Sequence, residues 1–377
     1  MIAPGAPALD RALLLDPPSN PLMDVFRPLS IDVESSVWAM LLGTTLILVF
    51  WCARSTFERA GGLRLVARGT GWVGLLLGIL VFIQRAGPPD LIYGFWRPIA
   101  RIGHPRPIGP FLNRNDLAAW LIVALPIVLG YALARIASNR THRQNAVISL
   151  ANPRAVSLAA SLCLMFAALF ASLSRSGLLG AAFGLGTLLI FSRRRLSHVS
   201  LASLIAIIGA LALAATAYAN LPEFAERVGE LTASLSGGRM TIWRETWPMV
   251  RDFPLFGIGL GAFERGMSVY QQSTRLLFFN HAHSEYLQLL VEGGAFLAMT
   301  TCVVLFAGGR EIASRLRADR SPMFFVRAGA TGAVTALAVQ SVWHIGIRMP
   351  STGILFAIAA AMALHRPALV ATQTVRR

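Results

Sequence analysis

Hydrophobic positions in this chain come in long unbroken stretches rather than in strict alternation. Apolar runs lie near 36–53, 67–84, 116–135, 155–173, 176–192, 199–219, 285–307, 327–346 and 351–365. Stretches of about 17–25 such residues cross a bilayer as helices, so the pattern predicts about nine spans. The second and the last are short. The polar segments between them order the spans. Arg54, Arg59, Arg64 and Arg68 follow the first, and Arg135, Arg140, Arg143 and Arg154 the third. Arg193 to Arg195 follow the fifth, and Arg310, Arg315, Arg317, Arg320 and Arg327 the seventh. Arg366, Arg376 and Arg377 end the chain. Arginine collects on the cytoplasmic side. The N-terminus, the 85–115 loop, the Ser174-Arg175 turn, the 220–284 loop and the His344–Arg348 turn therefore face outward.

The expected fold class is all-α, a polytopic transmembrane bundle with one large outer loop. Its expected parts are an outer tail (1–35), six helices (36–219), the loop (220–284), three helices (285–365) and a cytoplasmic tail (366–377). In the loop, Ile242, Trp243, Trp247 and Val250 recur at helical spacing between Met240 and Val250. This predicts an amphipathic helix on the membrane surface, kinked or ended by Pro248. Pro254 to Gly261 resembles a dinucleotide loop only in its glycines, because the strand and helix context is missing. It is read as a close-packed re-entrant or tight-turn element.

Composition fits this picture. The 377 residues are 55% hydrophobic and 14% charged, with mean hydropathy +0.60, against about 25% charged in soluble domains. The formal net charge is +16, and every basic residue is arginine. No nucleic-acid module accompanies it, so the charge is read as an orientation signal and nucleic acid is excluded as a partner. Cys52, Cys163 and Cys302 are scattered and give neither a disulfide framework nor metal spacing. No basic n-region followed by an apolar h-region occupies the first ~30 residues, so no cleavable signal peptide is expected.

Chemistry concentrates where the loop meets the seventh span, in Asn280-His281-Ala282-His283-Ser284-Glu285 and on to Gly294. Ionisable groups at the mouth of a span mark function by default. His281 and His283 are two apart and point to different sides of a helix, which argues against a shared metal. For either imidazole alone, a histidine satisfied by backbone or water is the plainer reading. Glu285, Gln288 and Glu292 share one stripe, which faces a cavity or the bundle interior. Arg175, in Ser172-Leu173-Ser174-Arg175-Ser176-Gly177, sits between two spans without Asp or Glu; a phosphate or diphosphate would suit its fork. Arg239 follows Ser236-Gly237-Gly238, where backbone N–H groups could meet an anion. Arg114 lies in Asn113-Arg114-Asn115-Asp116, with Asn115 or Asp116 as the expected N-cap. The outward Arg85, Arg97, Arg101, Arg106 and Arg114 oppose the orientation rule and suit an anionic ligand.

Four stretches together resemble the O-antigen ligase and O-antigen polymerase family. They are Asn113-Arg114-Asn115 with Leu125-Pro126; Ser172 to Gly177; Gly238-Arg239 through Trp243, Pro254, Gly257, Gly259 and Phe263 to Ala282-His283-Ser284-Glu285-Tyr286-Leu287-Gln288 and Glu292-Gly293; and His344 through Arg348 to Pro350. The resemblance implies a GT-C-like glycosyltransferase of the bacterial inner membrane, metal-independent and without cofactor, its active site facing the periplasm. The donor would be a polyprenyl-diphosphate-linked glycan. The acceptor would be a hydroxyl on lipid A core or on another glycan, and membrane lipids would surround the site. It assigns His283 as the family's loop histidine and Arg175, Arg239 and Arg114 to the diphosphate; beside it, the residues themselves offer His283 or Glu285 as the catalytic base, and His281, Glu292 and Arg348 as further substrate-binding groups. Two departures stand out: one or two family spans are missing before residue 36, and the chain ends soon after the ninth. Either could give an inactive member. A bicarbonate-type anion transporter is the other alternative, although its polar groups belong at mid-membrane.

Overall fold

The computed structural model describes residues 30–57, 61–88, 91–96, 110–141, 153–196, 238–273, 278–321 and 323–366. Among them the regular structure is helical: α1 (Val33–Phe57), α2 (Gly62–Ala86), α3 (Arg114–Thr141), α4 (Pro153–Ala171), α5 (Arg175–Ser192), α6 (Gly238–Asp252), α7 (Phe263–Tyr270), α8 (Glu285–Ala318), α9 (Phe324–Gln340) and α10 (Pro350–Ala363). A 3-10 turn, Gly346–Arg348, precedes α10. Six of these helices, α1 to α5 and α8, are long and apolar enough to cross a membrane, while α9 and α10 are shorter apolar helices. This is the fold of a multi-pass membrane protein. The run at 199–219 lies outside the described residues, as do residues 1–29, Arg97, Arg101, Arg106, the 220–237 part of the loop and 367–377. The eighth run closes early: α9 ends at Gln340, and residues 341–345 turn.

The chain divides into two compact units. The first comprises 1–47, 220–307 and 340–350; the second comprises 48–219, 308–339 and 351–377.

In the second unit α3 is the central helix. Its apolar window is 94% buried, and α2, α4 and α5 pack around it. Without a hydrophobic drive between lipid-bathed helices, close backbone approach must supply the contact. A Cβ on Gly329 would stand 2.1 Å from the Pro126 carbonyl oxygen, and one on Gly184 2.6 Å from that of Gly332. Small residues thus let α3, α5 and α9 meet backbone to backbone. Ser161 Oγ donates to the Gly71 carbonyl at 2.7 Å and ties α4 to α2. Arg327, grouped with the cytoplasmic loop arginines in the sequence reading, is instead fully buried in α9. There it pairs with Asp319 and donates to the Ala363 carbonyl. A buried guanidinium needs such a partner.

The first unit is built around the segment between α5 and α8, described over 238–273 and 278–284. Met249, Phe253, Ile258, Phe263, Met267, Ala282 and Val291 form its core. The sequence reading placed Ile242, Trp243, Trp247 and Val250 on the apolar stripe of a membrane-surface helix; within the protein, α6 packs through a partly different face. The buried positions are Ile242, Thr246 and Met249, while Trp247 is 46% exposed. Pro248 does not end the helix, which runs on to Asp252; it lies on an exposed face. Tyr270 donates to Asp252 Oδ2 at 2.5 Å and links α7 to α6. Burial, then that hydrogen bond, holds the Tyr270 phenol well above its usual range.

Candidate active site

Helix α8 is broken near its start. Gly294 has φ +61 and ψ −164, and the tight turn Pro254–Gly261 enters the gap. An unbroken helix would bond Ala295 N–H to Val291 O and Phe296 N–H to Glu292 O. Instead Ala295 donates to Pro254 O at 2.8 Å and Phe296 to Leu255 O at 3.1 Å. The freed carbonyls of Val291 and Glu292 accept from Ile258 and Gly259 N–H, each at 3.0 Å. Two helical bonds are exchanged for four to the loop, so the N–H groups of Ala295 and Phe296 and the carbonyls of Val291 and Glu292 all keep partners. Gly257 and Gly259 have positive φ, and a Cβ on Gly257 would lie 2.4 Å from the Glu292 carbonyl carbon. The other side of the loop is held by the residues that lead into α1 and by its first turn: Ile31 N–H donates to Ile258 O at 3.0 Å, and Ser36 Oγ to Leu260 O at 2.7 Å.

This docking fixes the first turns of α8, where the polar stripe lies. Glu285, Gln288 and Glu292 are all buried, at 7%, 1% and 1% exposure. Ser284 caps the helix, with Leu287 N–H donating to its Oγ at 3.4 Å. One residue earlier, His283 has φ +50, a left-handed conformation that costs a non-glycine residue about 1–3 kcal/mol. Its neighbours impose it. Ala282 is fully buried; its N–H donates to Gln288 Oε1 at 3.1 Å, and its carbonyl accepts from the Trp243 indole at 2.9 Å. Gln288 Nε2 donates to Glu292 Oε1 at 2.9 Å and lies 3.3 Å from His281 Nδ1.

Arg348 closes the network from the 3-10 turn. Its Nε donates to both Glu285 oxygens at 3.0 and 3.2 Å, and its Nη1 to both Glu292 oxygens at 3.2 and 2.9 Å. Burial opposes the charge on Arg348, but Glu285 and then Glu292 outweigh it, and the guanidinium holds its proton more tightly than a free one. The Glu285 N–H donates to Ser341 O at 2.9 Å, which anchors the same turn. Arg239 is half-buried in the first turn of α6. It stands four residues before Trp243, hence on the same helical face, and Trp243 grips the carbonyl next to His283. Arg239, His281, His283, Glu285, Glu292 and Arg348 thus all belong to the first unit.

Arg114 and Arg175 belong to the second unit. Each opens a helix, α3 and α5 respectively. Ser174 caps α5, accepting from Gly177 N–H at 3.2 Å, and its Oγ donates to Asn115 Oδ1 at 2.7 Å. Asn115 is therefore not the cap of α3. That role falls to Asn113, whose Oδ1 accepts from Asn115 N–H at 2.8 Å and whose carbonyl accepts from Asp116 and Leu117. Leu173, at φ +52, makes the sharp reversal before Ser174. Two helix N-termini, each carrying an arginine, are joined by one side-chain hydrogen bond. Among the described residues no cluster of three His, Cys, Asp or Glu is arranged to hold a metal ion.

The sequence placed Glu285 and Arg348 as separate functional groups and missed their pairing. It also missed the Trp243–Ala282 and Asn115–Ser174 links. The shared motif signals of these segments were the available hint, because each link joins two of the four stretches or two parts of the third.

The family model described as O-antigen ligase matches residues 160–302. Over this stretch the chain is similar to the O-antigen ligase family. The matched segment contains Arg175, Arg239, His281, His283, Glu285 and Glu292, whereas Arg114 and Arg348 lie outside it. No curated protein matches the chain.

Proposed function

We propose that this membrane protein transfers a glycan from a polyprenyl-diphosphate-linked donor to an acceptor hydroxyl on a lipid or a second glycan, on the periplasmic face of the inner membrane. The observation that carries this reading is the strained, half-exposed His283, buttressed by Ala282, Ser284 and Trp243, with Arg239 one helical turn before Trp243. A residue held in a costly conformation by its surroundings is what a preorganised site requires.

The acceptor O–H gives its proton to His283 as the oxygen attacks the anomeric carbon. The bond between that carbon and the diphosphate oxygen breaks, and the lipid diphosphate departs. Attack opposite the leaving group inverts the anomeric centre. Arg239 stabilises the departing charge with its fork, a task that guanidinium performs without a metal. In the second unit, Arg175 and Arg114 add arginine to the positive ends of two helix dipoles, a setting suited to an anion. Glu285 has both oxygens engaged by Arg348, so the role of base is assigned to His283. Arg348, held by two carboxylates, orients the turn before α10; its grip on Glu292 keeps Gln288 aimed at Ala282.

The test uses purified protein with a lipid-diphosphate-linked oligosaccharide and a candidate acceptor, in the presence of a chelator. Release of lipid diphosphate together with an extended or lipid-linked glycan is expected. Release of nothing, with bicarbonate uptake by proteoliposomes instead, would replace this reading with the transporter one.

A further inference from the structure

We propose that the arginine-rimmed hollow where the C-terminal ends of α5 and α8 meet the start of α9 binds the phosphate headgroup of an anionic membrane lipid. The hollow has a volume of about 500 Å³, within the roughly 300–1,000 Å³ of small-ligand sites. It lies wholly in the second unit and is independent of the glycosyl-transfer reading. Ile190, Leu316 and Phe324 supply an apolar wall, while Arg193, Arg194, Arg317 and Arg320 stand around it. All four of these arginines are exposed, and among the described residues no carboxylate pairs with any of them. The nearby acid, Asp319, is buried and committed to Arg327. Arg195 is committed too: it donates to the Asp319 carbonyl, and its guanidinium lies 3.6 Å from the centre of the Phe324 ring. That stack fixes the wall and leaves the other four to face outward.

Orientation in the membrane needs arginines only near a helix end. It gives no reason for four of them to rim a hollow floored by apolar side chains. An amphipathic anion accounts for both features. Guanidinium forks match phosphate oxygens bidentately, and Ile190 and Leu316 receive the glycerol and first methylenes of an acyl chain. Basic pockets between spanning helices hold lipid headgroups in this way.

The probes are phosphatidylglycerol, which carries one anionic phosphodiester, and zwitterionic phosphatidylcholine, titrated onto the purified full chain and read by native mass spectrometry. Phosphatidylglycerol should bind at least about tenfold tighter, and Arg317→Ala/Arg320→Ala should remove most of that preference. Ile190→Trp fills the hollow at an exposed position without touching charge, so it should lose the same preference even if the double variant folds poorly. Glycerol 1-phosphate at millimolar concentration should fail to displace the lipid. Equal affinity for the two lipids, an unchanged preference in Ile190→Trp, or displacement by glycerol 1-phosphate would each overturn the proposal.

Discussion

Two carboxylates and one guanidinium occupy the buried first turns of α8 and the turn before α10. Removing the guanidinium would leave Glu285 and Glu292 as like charges in a dry site. Arg348→Ala should therefore cost about 3–5 kcal/mol and appear as a lowered melting temperature of the purified protein. Arg348→Lys keeps the charge but cannot span both carboxylates, so its loss should be smaller than that of alanine. An alanine variant that melts like wild type would show that the pairs carry no stability. Gln288 has a different role. Gln288→Leu preserves volume but frees the Ala282 N–H and releases the His283 backbone from one of its restraints. The unpaired buried N–H should cost about 1–3 kcal/mol of stability, and transfer rate should fall as well; steady-state assays on the folded fraction separate the two. The spacing of Glu285, Gln288 and Glu292 was readable because one helical stripe records itself in sequence. Their partner was not, because Arg348 lies beyond most of α8 and all of α9, and no local pattern records a contact across that separation.

At the scale of elements, the break in α8 and the turn that fills it form one device. Gly294→Ala would force a side chain into a glycine region with its Cβ 2.4 Å from Leu255 backbone atoms. The conformational cost alone is about 1–3 kcal/mol, and the clash adds to it. Gly309 lies later in the same helix with nothing within 4 Å of its would-be Cβ. Gly309→Ala should be neutral or stabilising by less than about 1 kcal/mol. If both variants melt alike, the inserted turn does not hold the helix. The sequence announced the turn through Gly257, Gly259 and Gly261, but a helix reads as continuous through Gly293-Gly294 because hydropathy continues on both sides. Likewise Pro248 suggested a helix end. On an exposed face the one missing N–H costs little, and packing of Ile242, Thr246 and Met249 carries α6 past it. The spans themselves were legible wherever apolar runs were long. The eighth was overextended because Ser341 to Ile345 remain apolar enough to continue a hydropathy run while the backbone turns.

At the scale of the whole molecule, the arginines that follow α1, α3, α5 and α8 predict that those helix ends face the cytoplasm. A single cysteine at position 194, in a background without Cys52, Cys163 and Cys302, should react with a membrane-impermeant maleimide only after the membrane is opened. One at position 256, 46% exposed in the inserted turn, should react in intact cells whose outer barrier is permeabilised. The reverse pattern would place the candidate active site on the cytosolic side and remove it from periplasmic glycan transfer. The most direct measurement compares lipid-diphosphate release by purified wild type and His283→Ala, with equal melting temperatures confirming fold. Loss of the general base should lower turnover by about 10²–10⁴-fold and leave donor binding intact. A His283→Ala protein that releases lipid diphosphate and forms product at the wild-type rate would contradict the account.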